Sequence, residues 1–241
     1  MPELRLGAPP SQESVILDQR RRVPELMDDP SLPADAHDAA LLGLARINRW
    51  SAVGATLWPL LRDSGARSVL EIGSGGGDVL LDLARRARQS GCSLTFTGSD
   101  VSPHAVERAQ GRADAAGLAV DFRRLDALAD DLPTHDVLLN TLMLHHLDDD
   151  DARRLLAAMG RAAARLVVVC DLERSTPGLA LAYVGTRLLS RSPVVHVDGP
   201  RSVRAAFTAA EARALALDAG LPDPRVQRRW PCRWLLTSVP S

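Results

Sequence analysis

Glycines recur at every second position, Gly73, Gly75 and Gly77, with Ser74 and Gly76 between them, Glu71 shortly before them and Asp78 directly after. Glycine lets a backbone pass close to a ligand in dihedrals that other residues avoid. An aspartate stands where a dinucleotide-binding GxGxxG loop has its third glycine. A carboxylate there competes with pyrophosphate for the donors and positive potential of a helix N-terminus. The loop therefore favours a cationic nucleoside without phosphates, with Glu71 as the nearby acid. Asp78 itself reads as a first-turn helix acid.

Further polar residues fall at the ends of later apolar runs: Asp100 in "GSDVS", Asp126 in "RRLDAL" and Asn140 in "LLNTL". His145 and His146 follow in "LHHL". Adjacent residues of an extended segment point opposite ways, so at most one of the two faces a common crevice. His196 and Asp198 in "VVHVDGP" fall on one side if that piece is extended, and such a pair holds an imidazole as a general base. The plainer reading of the segment is a surface turn. The acidic run 148–151 precedes a helical pattern and reads as its solvated first turn, so no metal is assigned.

The elements that must position these residues alternate. "SVLEI", "SLTFTGSD", "AVDFRRLD", "HDVLLNTL" and "RLVVVCDL" read as strands, separated in part by helical patterns, one of them opened by Ser102 with Pro103 in its first turn. Such alternation implies parallel strands joined by right-handed crossovers. "RVQRRW" and "RWLLTSV" are separated only by Pro231 and Cys232, too little for a crossover, and should pair antiparallel. The expected fold is α/β: a seven-stranded, mostly parallel sheet with an antiparallel C-terminal hairpin and helices on both faces. Residues 1–60, helical from Asp35 to about Leu61, form an N-terminal cap segment before a domain over 61–241. Residues 172–205 are an insertion of the length used for a lid or a substrate-binding element. Ile47, Trp50, Val53, Trp58, Leu181, Tyr183 and Leu188 in these two segments either wall an apolar pocket or pack one helix on another.

The 241 residues carry a formal net charge of −1, which gives no basic field for nucleic acid. All 29 cationic side chains are arginine, which reads as the coding bias of a GC-rich genome, and a bacterial source is expected. Cys92, Cys170 and Cys232 make neither a disulfide framework nor a metal cluster. The first fifteen residues lack a signal-peptide core, and the apolar stretch 178–189 is too short to span a bilayer. A cytoplasmic protein without membrane insertion is expected.

The glycine loop with its acid resembles the (D/E)xGxGxG motif of class I S-adenosylmethionine-dependent methyltransferases, a Rossmann-like family. The resemblance extends over residues 66–241, with Asp100, Asp126 and Asn140 at the next three strand ends. It implies S-adenosyl-L-methionine as cofactor, held by Glu71, Gly73, Ser74, Gly75, Gly77, Asp100, Val101, Asp126, Ala127, Asn140 and Thr141, with Asp100 on the ribose. It also implies methyl transfer to a hydroxyl of a small aromatic or polyketide-derived acceptor, of the phenolic lipid, quinone or polyketide type. His196, oriented by Asp198, is the expected base, with His145 as the other candidate. C-methylation of a quinone or polyketide, or cofactor binding without catalysis, stays open, as does a homodimer.

Overall fold

The computed structural model of the chain describes residues 17–29 and 31–240. The stretch read above for targeting signals lies outside the described residues. Two helices come first, α1 (Ala34–Trp50) and α2 (Val53–Asp63). The alternating core follows: β1 (Ser68–Ile72), α3 (Asp78–Gln89), β2 (Thr95–Asp100), α4 (Pro103–Ala115), β3 (Val120–Arg124), β4 (His135–Thr141), α5 (Asp149–Ala162) and β5 (Ala163–Leu172). Then come α6 (Thr176–Leu189), α7 (Pro193–Ala205), α8 (Ala209–Asp218), β6 (Arg225–Arg229) and β7 (Arg233–Ser238).

The strands form one sheet in the order β3-β2-β1-β4-β5-β7-β6. Five are parallel; β7 runs antiparallel between β5 and β6. Chain order reverses between β1 and β4, so the ligand crevice of such a sheet opens at their carboxyl ends. The central strands are buried on both faces and separate two hydrophobic clusters. One joins Val69, Leu139 and Cys170 to α2 and α3; the other joins Leu70, Leu138 and Val169 to α5 and α8.

Local signals explain the helix starts. Ser102 Oγ accepts from Ala105 N at 3.3 Å and Pro103 opens α4. Asp148 caps α5 by accepting from Asp151 N at 2.8 Å, so the acidic run is a helix start, as expected. Thr208 and Glu211 form a reciprocal capping box on α8.

Two expectations are corrected. The N-terminal helical stretch is not continuous: Ala52 adopts φ +52 between α1 and α2, and the Ser51 hydroxyl donates to Ile47 O at 2.8 Å. One straight helix could not both bury Leu57 and Leu61 against the sheet and lay Ala40 on Val194 and Val195 of α7. The segment with His196 and Asp198 is not extended but lies within α7, which begins at Pro193 and carries Pro200 in its interior. Val194, Val195 and Val203 bury one side of that helix, and this burial prevails over the turn-forming "DGP".

Candidate active site

The glycine loop folds as its spacing requires. Gly73, Gly75 and Gly77 have φ of +69, +50 and +75. A Cβ at Gly73 would stand 2.6 Å from Met143, and one at Gly77 would stand 2.7 Å from Phe122. At Gly75 nothing lies within 4 Å, so this glycine faces the open side of the loop. Ser74 ties the loop to β2 through its amide and hydroxyl, both donated to Ser99 O. Asp100 braces it from the next strand, accepting from Gly75 N and Ser102 N at 2.9 Å each.

Glu71 is buried, and the Thr141 hydroxyl donates to its Oε1 at 2.5 Å. Its other oxygen has no partner. Burial, reinforced by the charges of Asp78 and Asp100 against the opposing Thr141 bond, pushes this carboxyl from 4.5 up to about 8. Asp78 is likewise raised by burial, although Arg112 pairs with it at 2.6 Å. Asn140 is fully buried and donates to Ile72 O at 2.9 Å, leaving its Oδ1 unpartnered. Val101 is exposed. Asp126 is also exposed and accepts from Leu128 N at 3.0 Å, the bonding of a turn residue, while Ala127 packs against the second cluster.

A second centre was only half visible in the sequence. His145 is buried on the turn after β4, where its Nδ1 lies 2.7 Å from Asp171 Oδ1 and its amide donates to Asp171 Oδ2 at 3.0 Å. Asp171 is fully buried. Burial acts to raise it, but the His145 charge and hydrogen bonds outweigh that and hold the carboxyl below its ordinary value. Asp171 ends the apolar run of β5 as Asp100 ends β2, and a strand-end acid is the signal that could have found it. Glu25 comes from a strap, residues 17–29, and stands 3.7 Å from His145 Nε2 and 3.9 Å from His146 Nε2. These three side chains offer ligand atoms within 4.8 Å of one another, as do His37, Asp38 and His104. No sequence spacing joins Glu25 to the histidines.

His196 and Asp198 do not form the expected pair, because residues two apart on a helix point to different sides. His196 Nε2 lies 2.8 Å from Ser190 O, and Asp198 accepts from the amides of Leu26 and Met27 at 2.9 and 3.0 Å. Asp198 thus holds the strap. Val53 and Trp58 belong to the core beneath the sheet, whereas Trp50, Tyr183 and Leu188 are exposed.

A glycine loop at the topological switch point, an acid closing β2 and a buried His–Asp pair beyond β4 thus gather at the carboxyl edge of the parallel strands, where ligands of such sheets bind. Comparison with known proteins sharpens this: residues 69–165 match a family model described as a methyltransferase domain. The chain carries a methyltransferase domain, and its fold is the one shared by S-adenosylmethionine-dependent methyltransferases. It is similar to the 3-hydroxy-5-methyl-1-naphthoate 3-O-methyltransferase of Streptomyces sahachiroi, at 30% identity over 174 residues covering 68% of this chain and 46% of that protein. It also resembles a ubiquinone biosynthesis O-methyltransferase of Rhizobium leguminosarum bv. trifolii (strain WSM2304), at 33% identity over 51% of this chain and 47% of that one. The chain spans about half the length of these relatives. Among solved structures, an O-methyltransferase family protein from Burkholderia thailandensis superposes with a TM-score of 0.66, at 19% identity over 86% of this chain and 61% of that chain. A methyltransferase from Aquifex aeolicus gives 0.62 at 17% identity, over 87% of this chain and 100% of that chain.

Proposed function

We propose that the protein transfers the methyl group of S-adenosylmethionine to a hydroxyl of a small aromatic or polyketide-derived acceptor, with His145 as general base. The observation that carries this reading is the buried Asp171–His145 pair on the turn after β4, beside the strand ends that hold the glycine loop. The relatives named for O-methylation of a naphthoate and for O-methylation in ubiquinone biosynthesis support a hydroxyl acceptor.

The residues present fit the cofactor. The loop leaves open space at Gly75, and a buried acid with one unpartnered oxygen lies next to it. Glu71, Gly73, Ser74, Gly75, Gly77, Asp100, Val101, Asp126, Ala127, Asn140 and Thr141 would hold it, with Asp100 turned to the ribose hydroxyls. When bound, S-adenosylmethionine supplies an electrophilic methyl group. A phenol with a pKa near 10 is mostly protonated at neutral pH, so its oxygen gains nucleophilicity when a base takes the proton. Asp171 fixes the Nδ1–H tautomer of His145, which leaves Nε2 with the lone pair that accepts it. Residues 172–205, together with α1 and the strap, form the cap that excludes water from the acceptor. Among the described residues no helix is long and apolar enough to cross a membrane; the balanced charge favours a small-molecule acceptor over a nucleic acid, and a cytoplasmic location is part of the proposal.

The test is transfer of labelled methyl from S-adenosylmethionine to a panel of phenols and hydroxynaphthalenes. His145→Ala is expected to lower turnover about 100-fold or more, the usual scale for losing a general base, with cofactor affinity intact. His196→Ala should stay near wild type. The reverse pattern would return the base to α7.

A further inference from the structure

Arg233 opens β7 and is 4% exposed, yet its Nε and Nη1 are sealed from solvent without a hydrogen-bond partner. No ion pair reaches it among the described residues. A guanidinium stays charged in a protein and offers five donors, and burying such a group with donors left unmade is strongly unfavourable unless something supplies the missing acceptors. The neighbouring arginines are satisfied. Arg228 Nε lies 2.8 Å from Glu173, and Arg174 is bonded to Glu211, Ala206 O and Leu17 O. Asp171, on the adjoining strand, has both oxygens committed to His145 and to Leu172 N.

The location gives this orphan a role. Arg233 pairs with Leu172, the last residue of β5, so it stands at the carboxyl edge of the parallel strands. Alternation places it on the face of Leu235 and Cys170, which is also the face of Thr141 and Glu71. Glu71, Thr141, Cys170 and Arg233 thus mark one face across four adjacent strands, β1, β4, β5 and β7. Glu71 is in register with Thr237 of β7, four residues from Arg233, so three strand spacings of about 4.8 Å and four residues at about 3.3 Å each put Arg233 roughly 20 Å from Glu71. The cofactor end is fixed at β1 and β2 by the glycine loop and Asp100, so the β5–β7 end falls to the acceptor. The turn that leads into β7 carries aromatic surface: Trp230, three residues before Arg233 in the chain, is 75% exposed and its ring lies 6.4 Å from that of Trp50.

We propose that Arg233 recognises an anionic group of the acceptor, and that the acceptor is an aromatic hydroxy acid held through its carboxylate. The planar guanidinium matches a carboxylate in a bidentate fork, and a desolvated site strengthens the pair. This rests on the transferase reading for the word acceptor, but binding can be measured without any transfer. The probes are 2-naphthoate, which has the carboxylate and no hydroxyl to methylate, and its neutral counterpart 2-naphthamide. They are titrated calorimetrically into protein saturated with S-adenosylhomocysteine.

Wild type is expected to bind the naphthoate at least 10-fold tighter than the naphthamide. Arg233→Met should abolish that preference, leave affinity for S-adenosylhomocysteine unchanged and raise the melting temperature, because it removes an unpaired buried charge. A merely structural arginine would not link a gain in stability to a loss of anion preference. If the Met variant does not fold, Arg233→Lys carries the test, and its point charge should cut the preference several-fold. Equal affinity for both probes in wild type, no binding of the naphthoate, or full preference retained in the variants overturns the proposal. A naphthoate preference that depends on Arg233, in a protein that methylates none of the hydroxyaryl panel, would leave the anion site standing and remove the transferase reading.

Discussion

At the scale of single residues, the glycine loop and the acid beside it respond to substitution in opposite ways. Gly75 has free space where a Cβ would go, but its φ of +50 is strained for a β-branched residue, and its open side is the path proposed for the nucleoside. Gly75→Val is therefore expected to abolish measurable binding of S-adenosylhomocysteine by calorimetry while the protein stays folded; wild-type affinity would place the cofactor elsewhere. Glu71 bears on stability. Its carboxyl keeps a proton in the folded protein up to about pH 8, whereas the unfolded chain releases it near 4.5. Between those values the native state binds more protons, so stability is greatest below the lower value and falls as pH rises through the window. Glu71→Gln removes that slope. Its melting temperature should change less than that of wild type between about pH 5 and pH 8, and an equally steep loss in both proteins would mean that another group sets it.

At the scale of elements, the strap and the β4 turn form one unit that no local sequence pattern shows. Arg20 donates to His145 O at 2.9 Å and Arg22 to His146 O at 2.7 Å, while His146 Nδ1 lies 3.1 Å from Asp28. Burial acts to lower His146, but the Asp28 hydrogen bond and the charges of Glu25, Asp28 and Asp171 outweigh it and raise the imidazole to about 9. The stabilisation is present in full below the ordinary histidine value of about 6.5 and is lost as pH rises through about 9. Trypsin cleavage after Arg20 and Arg22 is thus expected to accelerate in wild type between about pH 7 and pH 10, beyond the change in trypsin's own activity. In His146→Gln it should be fast throughout. A flat wild-type response would free the strap from this histidine.

The strap also shows where sequence reading stops. Strands such as Ser68–Ile72 and the Ser102 cap were legible because the information is local: apolar runs, a capping hydroxyl and a proline at a helix start. The candidate cofactor residues could be named from the sequence because strand ends recur on one edge of a parallel sheet. The Asp171–His145 pair spans 26 positions and Glu25 lies 120 residues before His145, and only the fold brings them together. The His196–Asp198 pairing failed because it assumed a period of two where burial of Val194, Val195 and Val203 imposed a helix.

At the scale of the whole molecule, a single sheet separates the two hydrophobic clusters, and the central strands β1, β4 and β5 contribute side chains to both. Leu83 of α3 and Leu155 of α5 are each fully buried, on opposite faces. Neither helix can leave without baring a strand that also supports the other face, so the clusters should melt together although they do not touch through side chains across the sheet. Leu83→Ala and Leu155→Ala are each expected to cost about 2–5 kcal/mol, the range for opening a cavity in a packed core. The double variant should equal their sum to within about 0.5 kcal/mol, since the sites share no partner. All three should unfold in one calorimetric transition with cofactor and acceptor ends lost together. A variant that lost the α5 face first and kept binding S-adenosylhomocysteine would show instead that the β1–β2 half holding the glycine loop is stable without the half that carries His145 and Arg233.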